Sequence, residues 1–374
     1  MLPNDLLQFV RQEKNISMEF VNQAKVRGVG ANCVYLYGAG IQKLYVVRFL
    51  QKHGVKIEAI LDSFQQGSYE GIPIILFNDF LRTNPDSENL FVISAPSVED
   101  EIRGTLEQYF PKEHIFCFET SPYVEWIPDV EAYRACLLGR WDELSQMYDT
   151  LADDFSRETL INIVKGRISG KTDYFRKIYT PDQYYPKDIV CLSKDEVLAE
   201  VGSYDGATLL NFLEHCLEYK SAYCFEPDQN NLRVLNGAVE KVQSEGKIKV
   251  IPCGAWDHKT ILRFNNSGGA TNLSHVSEET PLSNGSIEVV TIDDTIPEPI
   301  TYMTMSINGS ELRALYGAEH QIKRNRPKLS ICVSYSGEGM LDVWSYLQTL
   351  VPEYRFYLRH HLKHGGVESF LYAI

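Results

Sequence analysis

With 374 residues, 44% hydrophobic and 23% charged, the chain has a globular composition and enough length for two domains. A formal net charge of −14 argues against a nucleic-acid backbone or an anionic membrane as the main partner. No run reaches about 18 consecutive apolar residues and residues 1–10 lack a signal-peptide pattern, so a soluble cytoplasmic protein with no membrane span is expected.

In chain order, residues 4–27 carry apolar spacing suited to an amphipathic helix (Leu6, Leu7, Val10, Met18, Val21), within an N-terminal helical segment, 1–30. Residues 31–120 alternate strand and helix patterns, with strands predicted at 34–37, 56–61, 72–76, 90–94 and 114–118. Such alternation implies a parallel sheet covered on both faces, a Rossmann-like domain. Its turn Gly38-Ala39-Gly40 has Lys43 where a dinucleotide fingerprint needs a third glycine, and Asp62 is placed to meet a ribose. A structural turn and a nucleotide-binding turn weigh equally here. Residues 121–180 read as a helical connector without proline between Pro128 and Pro181.

From 181 to 374 a second alternating pattern begins, with strands predicted at 196–201, 221–225, 247–252, 287–292, 300–305 and 328–333. A hairpin of 355–357 and 369–372 closes it. The fold class is α/β: two Rossmann-like domains joined by a helical connector, the second ending in an antiparallel hairpin. A parallel sheet with that reversed ending is the usual build of methyltransferases rather than dehydrogenases.

The most informative stretch is Glu200-Val201-Gly202-Ser203-Tyr204-Asp205-Gly206, followed by Phe225-Glu226-Pro227-Asp228. It reads as strand, glycine turn, helix, strand, acid. Glycines let the backbone approach a ligand, and a carboxylate ending the next strand can accept both hydroxyls of a ribose. Gly202 and Glu226 lie 24 positions apart, near the roughly 20 such a unit needs. An adenosine-containing cofactor is expected. The eight cysteines show no paired metal spacing and several sit in apolar runs, so buried thiols and no metal site are expected.

From Asp153 to Ile374 the chain resembles the FkbM-type S-adenosylmethionine-dependent methyltransferases. The resemblance rests on Leu151 to Ser156 with Arg167, on Gln183-Tyr184-Tyr185-Pro186, and on the two motifs above. It continues in Thr291-Ile292-Asp293, Gly309-Ser310-Glu311-Leu312 with Gly317-Ala318, and Phe356 to His360 with Leu371-Tyr372-Ala373. The N-terminal domain is similar to an accessory domain that precedes some of these enzymes. The resemblance implies that Glu200, Gly202, Ser203, Tyr204, Asp205 and Gly206 surround the methionine end of S-adenosylmethionine, and that Glu226 with Pro227 holds the ribose. Ala255, Trp256 and Asp257 would lie near the adenine.

The departures matter equally. Where the family has Lys-Met-Asp-Ile-Glu-Gly, this chain reads Thr304-Met305-Ser306-Ile307-Asn308-Gly309, so two carboxylates are replaced by Ser306 and Asn308. Where it often has Tyr-His, the chain has Ser334-Tyr335. A hydroxyl acceptor needs a base within about 2.6–3.2 Å, and Ser306, Asn308 and Tyr335 are poor bases. Glu311, His275 and His360 are the remaining candidates, with Glu311 also suited to stabilising a helix start. Tyr184, His275, Tyr335, Arg359 and His360 are the expected substrate contacts. The expected activity is O- or N-methylation of a sugar, glycan or other small polar acceptor. The alternatives are a lapsed enzyme acting as a binding or scaffold subunit and, less favoured, a nicotinamide-dependent oxidoreductase. The oligomeric state is left open, a homodimer included.

Overall fold

The computed structural model describes residues 2–27, 33–40, 42–83, 85–118, 130–242, 246–263, 286–335 and 337–374. The N-terminal stretch forms two helices, Asn4–Gln12 and Ile16–Arg27, where one was expected. Asn15 causes the break. Its side chain accepts the Ser17 amide (3.0 Å) and donates to the Ile168 carbonyl (3.0 Å), a local bond that competes with helix continuation.

The first domain is a six-stranded sheet in the order β3-β4-β2-β1-β5-β6. These strands are β1 Val34–Tyr37, β2 Ala59–Asp62, β3 Gly67–Tyr69, β4 Ile72–Leu76, β5 Leu90–Ile93 and β6 Ile115–Phe116. All pairs are parallel except β3–β4. Strand β2 begins three residues later than expected, after Lys56-Ile57-Glu58. The short β3, with its exposed Gly67 and Ser68, had too little apolar content to register in the sequence.

The second sheet has seven strands in the order β15-β16-β14-β13-β7-β8-β9. They are β7 Val197–Val201, β8 Ser221–Phe225, β9 Ile248–Ile251, β13 Tyr302–Met305, β14 Lys328–Cys332, β15 Phe356–His360 and β16 Ser369–Ala373. Strand β16 runs antiparallel to β14 and β15, as expected of the closing hairpin. A separate three-stranded sheet, in the order β10-β12-β11, contains β10 Gly254–Ala255, β11 Thr260–Arg263 and β12 Ser286–Val290. The strand expected at 287–292 therefore belongs to this side sheet, and its last two residues leave it. Thr291 caps a short helix instead, its Oγ1 accepting the Asp294 amide at 3.1 Å.

The connector packs on the second sheet. One core combines Leu6 and Val10 of the first helix, Tyr133 and Leu137 of Val130–Gly139, Leu160 and Ile163 of Asp154–Ser169, and Met303, Leu329 and Phe356 of the sheet. The connector also covers the sheet's edge: the Ala152 and Thr180 amides donate to the Phe356 and His360 carbonyls (2.7 and 2.8 Å), blunting β15 as a pairing template. Helix Asp154–Ser169 starts where Asp153 accepts the Ser156 amide (2.6 Å) and ends at Gly170, whose φ of +71° a side chain would resist. Among the described residues no helix is long and apolar enough to cross a membrane, and no His/Cys/Asp/Glu group is arranged to hold a metal.

Arg359 is 3% exposed and bonded to Asp153 (2.7 Å), Asp188 (2.8 Å) and Ser156 Oγ (2.8 Å). It clamps the connector to β15. Arg359→Ala is expected to lower stability by about 1.5–3 kcal/mol in urea denaturation, because it removes the bonds of a buried guanidinium to Ser156 and to the partly exposed Asp153 and Asp188. Arg359→Lys should recover only part of the loss, since an ammonium cannot reproduce the fork.

Candidate active site

The carboxyl ends of β7, β8 and β13 open onto a groove of about 660 Å³, counting its mouth. Its floor comes from Val201, Gly202 and Tyr204 after β7, from Phe225, Glu226 and Pro227 after β8, and from Ser306, Ile307, Asn308 and Ser310 after β13. The side sheet makes the remaining wall with Gly254, Ala255, Leu262, Ile287 and Val289, and Trp256 and Asn231 complete it. Parallel strands leave such a crevice at their carboxyl ends where the strand order reverses. Here that point is β7, between β8 and β13.

Gly202 has φ +91°, and a Cβ there would collide with the Ser306 carbonyl oxygen, so only glycine brings the β7 and β13 loops this close. Tyr204 (φ +50°) and Asn308 (φ +55°) hold left-handed backbone that side chains disfavour, and both line the groove. Glu226 is buried. Its Oε2 accepts the Tyr204 amide (2.8 Å), and its Oε1 accepts the Asp228 amide (2.9 Å) and the Asn231 side chain (3.3 Å). Burial pushes its carboxyl above the usual range, against the pull of those donors. A carboxylate has about four lone-pair sites, so the expectation of two ribose bonds needs adjustment. One hydroxyl fits directly, and a second would displace the long bond from Asn231.

The other expected cofactor contacts divide. Gly202, Tyr204, Glu226, Pro227, Ala255 and Trp256 line the groove. Glu200, Ser203, Asp205, Gly206 and Asp257 do not. Glu200 points to the opposite face of the sheet, beside Cys224 Sγ (3.5 Å), and burial pushes its carboxyl up to about 8. Ser203 is buried in the turn, where its carbonyl accepts the Gly206 amide (2.9 Å). Asp205 accepts the Ala207 amide (3.0 Å) and so starts the helix Ala207–His215. Asp257 is bound by Arg313 and by His258 (2.6 Å), and Arg313 lies 5.4 Å from the Trp256 ring centroid. Asp257 thus fixes the cation that backs the indole.

Of the expected catalytic groups, Ser306 and Asn308 line the groove and Glu311 does not. Glu311 is buried, accepts the Ile307 amide (2.9 Å) and is pushed up to about 7 by burial. It holds the 306–310 loop in place. Of the expected substrate contacts, Tyr184 lines a second cavity and Tyr335 packs beside Gly309, its hydroxyl donating to Glu368 (2.7 Å). Arg359 and His360 are corrections. Arg359 is the clamp described above. His360 is fully buried, with Nδ1 on Ser369 Oγ (2.8 Å) and Nε2 on the Leu362 carbonyl (2.7 Å), and burial drives it down to about 3. It is neutral and has no nitrogen left to act as a base. His275 lies outside the described residues.

Sequence reasoning missed Asn231 and the side-sheet wall. Asn231 had a local signal, three residues beyond the helix-capping Asp228. In the first domain, Asp62 accepts the Ala39 (2.8 Å), Phe64 (2.8 Å) and Gln65 (3.0 Å) amides, and Lys43 Nζ folds back on the Ala39 carbonyl (2.9 Å). Asp62 thus ties the turn together and, like Glu226, keeps about one lone-pair site.

Two outcomes follow from this geometry. Gly202→Ala is expected to cost at least about 2 kcal/mol in urea denaturation, from the positive φ together with the collision. Glu200 holds its proton when folded and releases it when unfolded between pH 4.5 and about 8. Stability therefore falls as pH rises through that window and levels off above it. Thermal melts should show Glu200→Gln gaining on the native chain across the same window, with no gain below pH 4.

Residues 200–362 match the family model of the Methyltransferase FkbM domain. The crystal structure of Methyltransferase FkbM from Methylobacillus flagellatus KT is similar over 100% of this chain and 94% of that one, with TM-score 0.75 and 21% identity, which establishes a shared fold. An rRNA methylase from Streptococcus thermophilus (13% identity, 54% of this chain, 91% of that one, TM-score 0.31) is far looser. So is Aeropyrum pernix fibrillarin in complex with natively bound S-adenosyl-L-methionine (10% identity, 50% and 71%, TM-score 0.32). The chain has no match among curated proteins. The groove between β7, β8 and β13 lies within residues 200–362, the part of the chain that is similar to the Methyltransferase FkbM domain.

Proposed function

We propose that the chain binds S-adenosylmethionine in this groove and methylates a small polar acceptor such as a sugar. The observation that carries the reading is the Tyr204–Glu226 bond, which fixes a glycine turn and a strand-end carboxylate on one crevice. The residues present suit an adenosyl group. Glu226 keeps one lone-pair site for a ribose hydroxyl. Phe225, Ala255, Leu262, Ile287 and Val289 give a flat ring an apolar slot. The Trp256 indole N–H is buried without an acceptor among the described residues, and a purine ring nitrogen would satisfy it.

The bound cofactor supplies a methyl carbon on a positively charged sulfur, open to in-line displacement. The chain's task is then to hold the acceptor atom near 3–3.5 Å in line. Ser306 and Asn308 offer neutral polar groups for this, on a loop that Glu311 and the Gly202 contact hold in place. A neutral amine needs orientation alone, whereas a hydroxyl also needs a proton acceptor. The loss of the family's two acids at Ser306 and Asn308 favours a second reading, a lapsed enzyme that binds the cofactor and serves as a partner subunit.

Calorimetry with S-adenosylmethionine tests the first reading. The native chain is expected to bind, and Glu226→Ala to bind about 10- to 100-fold more weakly, the worth of one or two charged hydrogen bonds. Unchanged affinity in Glu226→Ala contradicts the assignment. Binding without transfer to any sugar or amine acceptor favours the lapsed enzyme.

A further inference from the structure

Arg167, on the helix Asp154–Ser169, is fully buried, and its guanidinium makes one hydrogen bond: Nη2 donates to the Ser334 carbonyl at 3.0 Å. Nε and Nη1 are sealed from solvent and have no partner among the described residues. The Tyr133 hydroxyl, on the helix Val130–Gly139, is buried and unpartnered in the same way. The two side chains meet. The guanidinium carbon lies over the Tyr133 ring, 5.7 Å from its centroid. Burial raises the pKa of the Tyr133 hydroxyl, and the Arg167 charge opposes that rise. Two orphaned groups therefore share one spot, between two connector helices and the residues that follow β14.

A guanidinium donates and never accepts, and in a protein it keeps its charge. Taking such a charge out of water is costly unless an opposite charge comes with it. Arg359, buried nearby in the fold, has two aspartates. No carboxylate bonds Arg167 among the described residues, because those on the surrounding elements are engaged elsewhere. Asp153, at the start of its own helix, bonds Arg359. Glu338 and Asp342, at the start of the helix Gly339–Leu350, lie beside Arg140 (3.8 and 2.5 Å). Glu368 takes its donors from Gln183 and Tyr335. His360 offers no compensation: burial, and in addition the Arg167 charge, hold its imidazole neutral. The Ser334 carbonyl and the face of Tyr133 offset only part of a whole charge.

A water molecule would satisfy the free N–H groups and leave the charge unbalanced. The Tyr133 hydroxyl also has a proton to give, so donors converge where positive charge is in excess. Such a spot selects an anion. The donors are shielded from solvent, so the ligand must shed its hydration shell, which costs a doubly charged oxyanion far more than a halide. We propose that Arg167 and Tyr133 form an internal anion site that holds a chloride-sized monovalent anion, bonded by the free guanidinium N–H groups and the Tyr133 hydroxyl. The site ties the connector to the residues after β14. The same guanidinium holds Ser334, and the next residue, Tyr335, packs beside Gly309 in the loop that borders the groove. The site stands independently of the methyl-transfer reading.

Bromide is the probe, since it replaces chloride and scatters anomalously. Crystals of the full chain grown without halide and soaked in bromide should show an anomalous peak in contact with Arg167 and the Tyr133 hydroxyl. In solution, with bromide replacing gluconate at fixed ionic strength, the melting temperature should rise by about 1–3 °C for each tenfold increase in bromide. Arg167→Met keeps a long unbranched stem and removes the charge, so the bromide-specific rise should vanish. Tyr133→Phe should need about 10-fold more bromide for the same rise, the worth of one hydrogen bond to an ion. If Arg167→Met does not fold, Tyr133→Phe and the native crystals still decide. Water alone at Nε and Nη1 in the soaked crystals overturns the proposal. So does an equal rise in the native chain and Arg167→Met. A peak without any bromide dependence of melting is binding at crystal concentration only, and overturns it too.

Discussion

A single hydrogen bond organises the candidate site: the Tyr204 amide donating to the Glu226 carboxylate at 2.8 Å. It joins the turn after β7 to the end of β8, so the two walls of the crevice move as one. Tyr204 donates from left-handed backbone (φ +50°), and two residues before it Gly202 lies against the Ser306 carbonyl. Three loops from three strands are thereby fixed to each other before any ligand arrives, which is the preorganisation a positioning enzyme needs. Glu311 adds a further tie, from within the β13 loop to its own helix start.

The parts legible in the sequence were those set by local order. Strand, glycine turn, helix and acid follow one another within a few dozen residues, so Gly202 and Glu226 could be placed together without knowing the rest of the fold. The reversed final strand was equally readable, because Phe370-Leu371-Tyr372-Ala373 is a short apolar run. What escaped depends on distant pairing. Strands β10 and β11 are two and four residues long and become strands only by pairing with β12. Yet with β12 they supply Gly254, Ala255, Leu262, Ile287 and Val289 to the wall.

Arg359 and His360 illustrate the opposite error. Arg359 and His360 are adjacent, polar and near a family motif, so they read as ligand contacts. The connector lies over β15, and burial changes their roles. Arg359 is neutralised by two aspartates, and His360 is held uncharged by desolvation. A sequence shows the charge of a side chain but not what will cover it. Lys43 and Asp62 in the first domain likewise bond backbone groups of their own turn.

The proposed function requires an adenosyl group lying between Glu226 and the side sheet. A crystal structure of the chain with S-adenosylhomocysteine tests this directly. The ribose is expected within hydrogen-bond distance of a Glu226 oxygen, with the purine among Ala255, Trp256, Leu262 and Ile287. A ligand found elsewhere, or a groove that stays closed by its own side chains at saturating ligand, contradicts it.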